Sequence, residues 1–134
     1  MKIIKLRAWD IKNQYMVTWD EHLDPDEDTY FIDIDNMSVH YNVDPNGYMS
    51  KETPAEIMLF TGLFDKDEKE IWEGDIVRVF DKIGEIIWNK DAARFSIMYF
   101  WSKHQHIFNI DCDDVIEFKV VGNIYENPEL LEAA

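Results

Sequence analysis

The sequence predicts a mainly β protein built from short antiparallel strands, with almost no helix. Three observations favour this class. Apolar side chains recur with a period of two along most of the chain, and turn-forming residues separate these stretches. Aromatic residues, which pack well on pleated surfaces, make up 14% of the 134 residues, whereas alanine is scarce. A chain of this length can bury one core, or two small ones.

The N-terminal part, residues 1–55, is predicted to form a region of two β-hairpins. In residues 4–9, Ile4, Leu6 and Ala8 alternate with Lys5, Arg7 and Trp9, and residues 15–19 resume the alternation after a turn. Residues 30–34 and 37–41 form a second alternating pair around a short Asp-Asn turn. Two alternating stretches joined by turn residues are typical of a hairpin.

The two halves are predicted to be linked by a turn and a possible helix start. Residues 44–47 read Asp-Pro-Asn-Gly, a strong turn signal because proline fixes φ and glycine permits a positive φ. Thr53, Pro54 and Glu56 have the pattern of an N-cap, a first helical residue and a capping box. Because Thr61 and Gly62 follow closely, we expect at most one helical turn.

Residues 56–134 are predicted to form a small antiparallel β-barrel followed by a short helix. Alternation and turns indicate strands at 76–80, 85–88, 94–100 and 118–124, with a further short strand near 107–110. Closure into a barrel would remove exposed strand edges. Asn127 and Pro128 have the pattern of a helix cap and first residue. The predicted barrel core includes Ile76, Val79, Ile86, Ile97, Val120 and Ile124.

The net charge and the cysteine content limit which classes of partner and which cellular compartment we expect. The formal net charge is −15, which would repel nucleic-acid phosphates and anionic lipid head groups. No stretch has the length of a membrane span, and the N-terminal residues lack the apolar core of a signal peptide. Cys112 is the single cysteine, which excludes an intramolecular disulfide. We therefore expect a cytoplasmic protein for which nucleic acid is an unfavourable partner.

The Asp65-x-Asp67 spacing in the central charged stretch resembles the start of a calcium loop. With Asp65 as the first ligand position, the obligatory glycine would be Glu70 and the bidentate glutamate would be Ile76. The stretch therefore fails the calcium pattern. It is interpreted as a charged turn between strands.

His104 and His106 would lie on one face of an extended segment, which is a spacing that can bind zinc. A third ligand would have to come from His22, His40, Cys112 or a carboxylate elsewhere. Polar-loop histidines are more often surface residues, so no metal site is predicted and a metal-dependent hydrolase is kept as an alternative. The sequence contains no phosphate-binding loop and no nucleophile elbow, and it indicates neither a cofactor nor an enzyme.

Four aromatic residues are predicted to form an interaction surface, because a small barrel cannot bury all of its aromatic side chains. Basic side chains in this half are interspersed with acidic ones, which disfavours a base-stacking groove. Packing against the N-terminal hairpins, or against another subunit, explains the aromatic residues better. The four predicted residues are Trp72, Trp88, Tyr99 and Trp101.

Four separated stretches carry a resemblance to a known family. They read "IKLRAWD", "TGLFDKDEKEIWEGDIV", "GEIIWNKDAARFSI" and "VVGNIYENPELL". Together they resemble the YopX family of phage and prophage proteins. The resemblance implies a mostly β protein with an SH3-like barrel in its C-terminal part, working in the cytoplasm of a bacterial host. It implies no known activity and transfers no catalytic residue.

The central turn departs from the family pattern. Family members commonly read Asp-Lys-Asn-Gly there, and this chain has Asp65-Lys66-Asp67-Glu68. Because glutamate adopts a positive φ less readily than glycine, we expect a wider turn, or a positive φ at Asp67.

The sequence thus predicts a phage or prophage accessory protein that is not an enzyme and acts through protein contacts, either with another protein or with a second copy of itself. The alternative is a nucleic-acid-associated accessory protein of phage replication or transcription.

Overall fold

The computed structural model describes residues 5–20, 30–42, 50–101, 104–110 and 117–132; the side chains at 19, 20, 42, 50, 100 and 101 lie outside this description. These residues form strands and one short helix, which confirms the predicted mainly β class. The elements are β1 Lys5–Asp10, β2 Tyr15–Asp20, β3 Tyr30–Asp33, β4 Ser38–Asn42, β5 Ser50–Phe64, β6 Glu70–Trp72, β7 Asp75–Val79, β8 Lys82–Asn89, β9 Arg94–Trp101, β10 His104–Asn109, β11 Phe118–Asn123 and α1 Glu129–Glu132.

The chain divides into two compact units, Met1–Leu59 and Phe60–Ala134, and the division falls within β5. In the first unit the antiparallel strand order is β2-β1-β5-β4-β3. Both predicted hairpins, β1–β2 and β3–β4, are therefore confirmed. One buried apolar cluster of this unit consists of Ala8, Val17, Val39 and Ala55.

The predicted helical turn at Thr53 is wrong, because β5 is continuous from Ser50 to Phe64. Pro54 is the last residue that pairs with β4, and Ala55 is the first that pairs with β1. Proline is tolerated in a sheet where regular pairing ends. The Thr53 hydroxyl does not cap a helix but donates a hydrogen bond to the Asp10 carboxylate.

In the second unit, β6 pairs with the end of β5, and five further strands form an antiparallel sheet in the order β10-β9-β8-β7-β11. Of the predicted core residues, Ile76, Ile86, Ile97 and Val120 are buried, whereas Val79 and Ile124 are half-buried. The predicted terminal helix is present as α1 and contacts β8. The buried cluster consists of Ile71, Val77, Ile86, Ile97, Ile110, Phe118 and Val120.

The predicted barrel closure is not found in the pairing of the described residues. Strands β10 and β11 end the five-stranded sheet on opposite sides, and neither sheet closes on itself. The SH3-like barrel therefore stays a prediction. In the part of the chain that the structure describes, no helix is long and apolar enough to cross a membrane.

Candidate functional site

The central charged turn is organised by the buried carboxylate of Asp65. Its Oδ1 accepts the backbone N–H groups of Asp67 and Lys69 at 2.9 and 2.8 Å, and its Oδ2 accepts the N–H of Val120 at 2.9 Å. Burial raises the pKa of this carboxyl, but the three N–H donors outweigh burial and the pKa is lowered overall. The carboxylate thus fixes the backbone, in keeping with the predicted charged turn.

The expectation about the positive φ in this turn is wrong. Glu68 itself adopts the left-handed conformation, with a φ of 65°, and Asp67 does not. The N–H of Glu68 donates to the carbonyl of Asp65, which closes a tight turn rather than a wide one. The non-glycine residue is held there because the Asp65 bonds fix the turn on both sides.

The Glu-Gly-Asp stretch before β7 is a second backbone turn. Asp75 is buried, and its Oδ2 accepts the N–H of Trp72 at 2.7 Å. Gly74 has a φ of 87°, donates to the carbonyl of Ile86 and accepts from the N–H of Ile124. Glycine is favoured at this position because the backbone has a positive φ.

The Gly-Asn-Ile-Tyr-Glu-Asn stretch, which begins in the last two residues of β11, forms a third such turn. Asn123 Oδ1 accepts the N–H groups of Tyr125 and Glu126 at 3.0 and 2.8 Å. A Cβ atom at Gly122 would lie 2.6 Å from Asn127 Oδ1, so the glycine makes room for this side chain. The polar side chains Asp65, Asp75 and Asn123 of these family-like stretches therefore hold turns in place.

Asp10, in the "IKLRAWD" stretch, has the same kind of role in the first unit. It is fully buried, and its Oδ2 accepts hydrogen bonds from the hydroxyls of Tyr41 at 2.5 Å and Thr53 at 3.0 Å. The N–H and side chain of Asn13 donate to the same carboxylate. Burial opposes ionisation, but these donors prevail and lower the pKa of Asp10 to about 2. Burial and the bond to Asp10 raise the pKa of Tyr41.

Three of the four aromatic residues of the predicted interaction surface have side chains that the structure describes, and these differ in exposure. Trp72 is buried, with its ring centroid 5.5 Å from that of Phe60. Trp88 is 46% exposed, Tyr99 is half-buried, and the side chain of Trp101 lies outside the described residues. Trp88 and Tyr99 lie on one face of the sheet, but their strand positions are four residues apart, or about 13 Å.

Tyr99 lies in a groove of about 630 Å³ on the second unit. Phe80 and Phe108 are on its rim, 77% and 50% exposed, and the Tyr99 and Phe108 rings meet edge to face at 5.9 Å. Lys82 Nζ lies 6.0 Å from the centroid of the Tyr99 ring. The groove is lined by Val79, Phe80, Asp81, Lys82, Ile97, Tyr99, Phe108, Asn109, Ile110, Glu117 and Phe118.

Phe80 and Phe108 were not predicted, because the sequence assigns them to strands at 76–80 and near 107–110, where alternation alone does not show which side chains stay exposed. Strand β7 ends at Val79, so Phe80 lies in the turn and not in the strand predicted at 76–80. Its backbone φ of 57° confirms a turn conformation. Phe108 lies opposite the core residue Ile97 on β9, a register that the sequence alone does not specify.

One group of metal-ligating side chains is found among the described residues, formed by Asp33, His40 and Glu52. Hydrogen bonds from Asn36 to Asp33 lower the pKa of that carboxyl. The nearby Ser38 suggests a Ser-His-Asp arrangement, but Ser38 Oγ and Asp33 Oδ2 approach the same imidazole nitrogen, at 3.3 and 3.0 Å. A proton relay needs both ring nitrogens, so this group is not a nucleophile triad.

The histidine pair with the zinc-like spacing lies on β10. His104 is exposed and His106 is half-buried on β10. Within the described ranges, no group of three ligand-type side chains includes either of them.

Comparisons with known proteins show what the chain is similar to. A family model described as YopX protein matches residues 5–132. The crystal structure of protein EF1440 from Enterococcus faecalis is similar at 27% sequence identity, with a TM-score of 0.57, covering 98% of this chain and 99% of that one. No curated protein matches the chain.

Proposed function

We propose a function for this chain, which belongs to the YopX family. It is a phage- or prophage-encoded accessory protein that binds another protein in the cytoplasm of its bacterial host. The proposed mode of action is protein contact without catalysis. Its support is the use of the family-like carboxylates Asp10, Asp65 and Asp75 as acceptors for hydrogen bonds inside the fold.

We also propose that the second unit is an open relative of the SH3-like barrel. A five-stranded antiparallel sheet in which β11 returns beside β7 supports this class. The sheet would then be open at its edge strand, β10.

The observation that carries the proposed function is the exposure of Phe80 and Phe108 on the rim of the groove beside Tyr99. Large apolar side chains that remain exposed around a concave site are typical of protein contact surfaces. Tyrosine and phenylalanine supply large contact area and few rotatable bonds, so ordering them on binding costs little entropy.

The proposed occupant is an extended segment of a partner protein that carries lysine or arginine between large apolar side chains. The net charge of −15, and the acidic residues Asp81 and Glu117 in the groove lining, favour a basic partner over a second acidic copy. Strand β10 lies at the edge of its sheet in the described pairing, beside the groove. An extended segment could therefore pair with β10 while its side chains enter the groove.

A displayed library of random peptides, selected on the purified untagged protein, tests this function. We expect the selected peptides to combine aromatic or aliphatic residues with lysine or arginine. Their affinity should fall at least about tenfold for Phe108→Ser, because interface aromatic residues are frequent hot spots.

Phe64→Ser is the matched control. Phe64 is also 50% exposed and also packs against one aromatic ring, that of Phe60. Affinity that falls equally for both variants, or selected peptides without basic residues, would contradict the proposal. A dimer in light scattering that Phe108→Ser converts to monomer would assign the groove to a second copy instead.

A salt titration separates this function from a nucleic-acid role. We expect no tight binding to single- or double-stranded DNA at low salt, because neither the net charge nor the groove supplies a basic path for phosphates. Tight binding that weakens steeply with added salt would overturn the protein-contact function, since only real phosphate contacts release counterions on this scale.

A further inference from the structure

Three ligand-type side chains meet on one face of the first unit. His40 on β4 lies directly opposite Glu52 on β5, and Asp33 at the end of β3 lies opposite Ser38, two residues before His40 on the same face. Val39, between them, is fully buried in the core on the opposite face. The strand ladders and this buried neighbour therefore fix the backbone from which the three ligands project.

The distances between the ligand atoms are close to those that one small cation requires. His40 Nε2 lies 3.0 Å from Asp33 Oδ2 and 3.7 Å from Glu52 Oε1, and all three atoms lie within 4.8 Å of one another. An ion held at about 2.0–2.1 Å in tetrahedral geometry keeps its ligands about 3.3–3.4 Å apart. Shifts of a few tenths of an ångström would bring each carboxylate oxygen to that spacing from His40 Nε2, and the Asp33 and Glu52 oxygens lie no more than 4.8 Å apart.

Each ligand side chain is oriented by a neighbouring residue that would not bind the ion itself. Asn36 donates its backbone N–H and its side-chain amide to the two oxygens of Asp33, at 3.1 and 2.8 Å. The buried hydroxyl of Ser38 donates to Glu52 Oε1 at 2.8 Å. The Phe31 ring stacks on the His40 imidazole, with centroids 4.5 Å apart and planes at 5°. Second-layer contacts of this kind are typical of metal sites.

We propose that Asp33, His40 and Glu52 bind one divalent first-row transition-metal ion. Zn²⁺ is the ion with which the site is tested below. An imidazole nitrogen with two carboxylate oxygens suits zinc, manganese or iron, whereas calcium prefers oxygen ligands alone. The three protein ligands leave at least one coordination position for water or for a group of a partner.

The ion would act as a clamp across the edge of the first sheet. β3 and β5 are not neighbours, since β4 lies between them, and the ion would link all three strands. A cation at this place would also offset part of the acidic charge of Asp33 and Glu52. Binding to the folded chain alone stabilises it by mass action, so the thermal midpoint should rise with the concentration of free ion.

Calorimetric titration of chelator-treated, untagged protein with Zn²⁺ tests the site. We expect one equivalent to bind to the wild type, and the affinity to fall at least about tenfold for His40→Gln and for Glu52→Gln. Cobalt in place of zinc should give an absorption spectrum in the visible range that both substitutions abolish.

The controls are His104→Gln on β10 and Glu56→Gln on β5, which replace exposed residues of the same types. Both should bind zinc as the wild type does. In the wild type itself, zinc should shift the nitrogen NMR signal of His40 Nε2, a readout that does not depend on any variant folding. The absence of one-equivalent binding, or binding that His104→Gln abolishes and His40→Gln leaves intact, would overturn the site.

Discussion

The Asp65 carboxylate accepts the backbone N–H of Val120, 55 positions later in the chain, at 2.9 Å. The next residue reinforces this link, because the N–H of Lys66 donates to the carbonyl of Phe118 at 3.0 Å. The turn between β5 and β6 is thereby fastened to β11, although the two are far apart in sequence. The central stretch of the family resemblance thus has a structural reason to contain an aspartate at this position.

Asp65→Asn should lower the free energy of unfolding by at least about 2 kcal/mol. The amide that replaces one carboxylate oxygen is a donor and would face a backbone N–H, so at least one charge-assisted hydrogen bond is lost inside the fold. Urea unfolding followed by tryptophan fluorescence measures the change. The exposed Asp67→Asn is the control and should shift stability by less than about 0.5 kcal/mol. Equal effects of the two substitutions would contradict the role given to Asp65.

Glu68→Gly should stabilise the protein by about 1 kcal/mol. A residue with a side chain pays about 1–2 kcal/mol in the left-handed region, and glycine avoids this at a smaller entropic cost. Asp67→Gly is the matched control, because Asp67 has no positive φ and should lose about 0.5–1 kcal/mol. Midpoints of urea unfolding that move in the same direction for both variants would show that the conformation of Glu68 carries no strain.

The sequence predicts those parts of this fold that depend on local pattern. The two N-terminal hairpins and the core positions Ile86 and Ile97 follow from alternation. The continuity of β5 through Pro54 does not, because it depends on the change of partner from β4 to β1 at this residue.

The two candidate sites were not predictable for a similar reason. The pairing of His40 with Glu52 and of Phe108 with Ile97 is set by strand register, and these partners are separated in the sequence. Apolar and polar alternation assigns a residue to a face but not to a cross-strand neighbour. The predicted aromatic residues illustrate this limit, since Trp72 is buried whereas Trp88 is exposed.

Asp10 should contribute about 2 kcal/mol of stability that is lost in acid. Its pKa is about 2 in the folded chain and near 3.8 when unfolded, so the contribution is complete above 3.8 and disappears as the pH falls through about 2. The carbon NMR signal of the Asp10 carboxyl should titrate with a midpoint near 2. Tyr41→Phe removes one of its donors and should raise that midpoint. A midpoint close to the unfolded value in the wild type would contradict this account.

Glu85→Gln should stabilise the protein at neutral pH. Burial, and next the nearby charge of Glu73, raise the pKa of the Glu85 carboxyl above its ordinary value of 4.5. The raised pKa means that ionisation of Glu85 is less favourable in the folded chain than in the unfolded one. Wild-type stability should therefore increase as the pH falls through the folded pKa, and level off below 4.5. The advantage of the glutamine variant should shrink over the same range.

Urea unfolding of both proteins across that pH range provides the measurement, and Glu56→Gln, at an exposed position on β5, is the control. We expect the control to leave the pH dependence unchanged. Glu73→Gln should bring the NMR titration midpoint of Glu85 closer to 4.5, because it removes the charge while burial of Glu85 persists. If Glu85→Gln lowered stability at neutral pH, the carboxylate would have to be stabilised by a favourable interaction, and its pKa would then be lowered rather than raised.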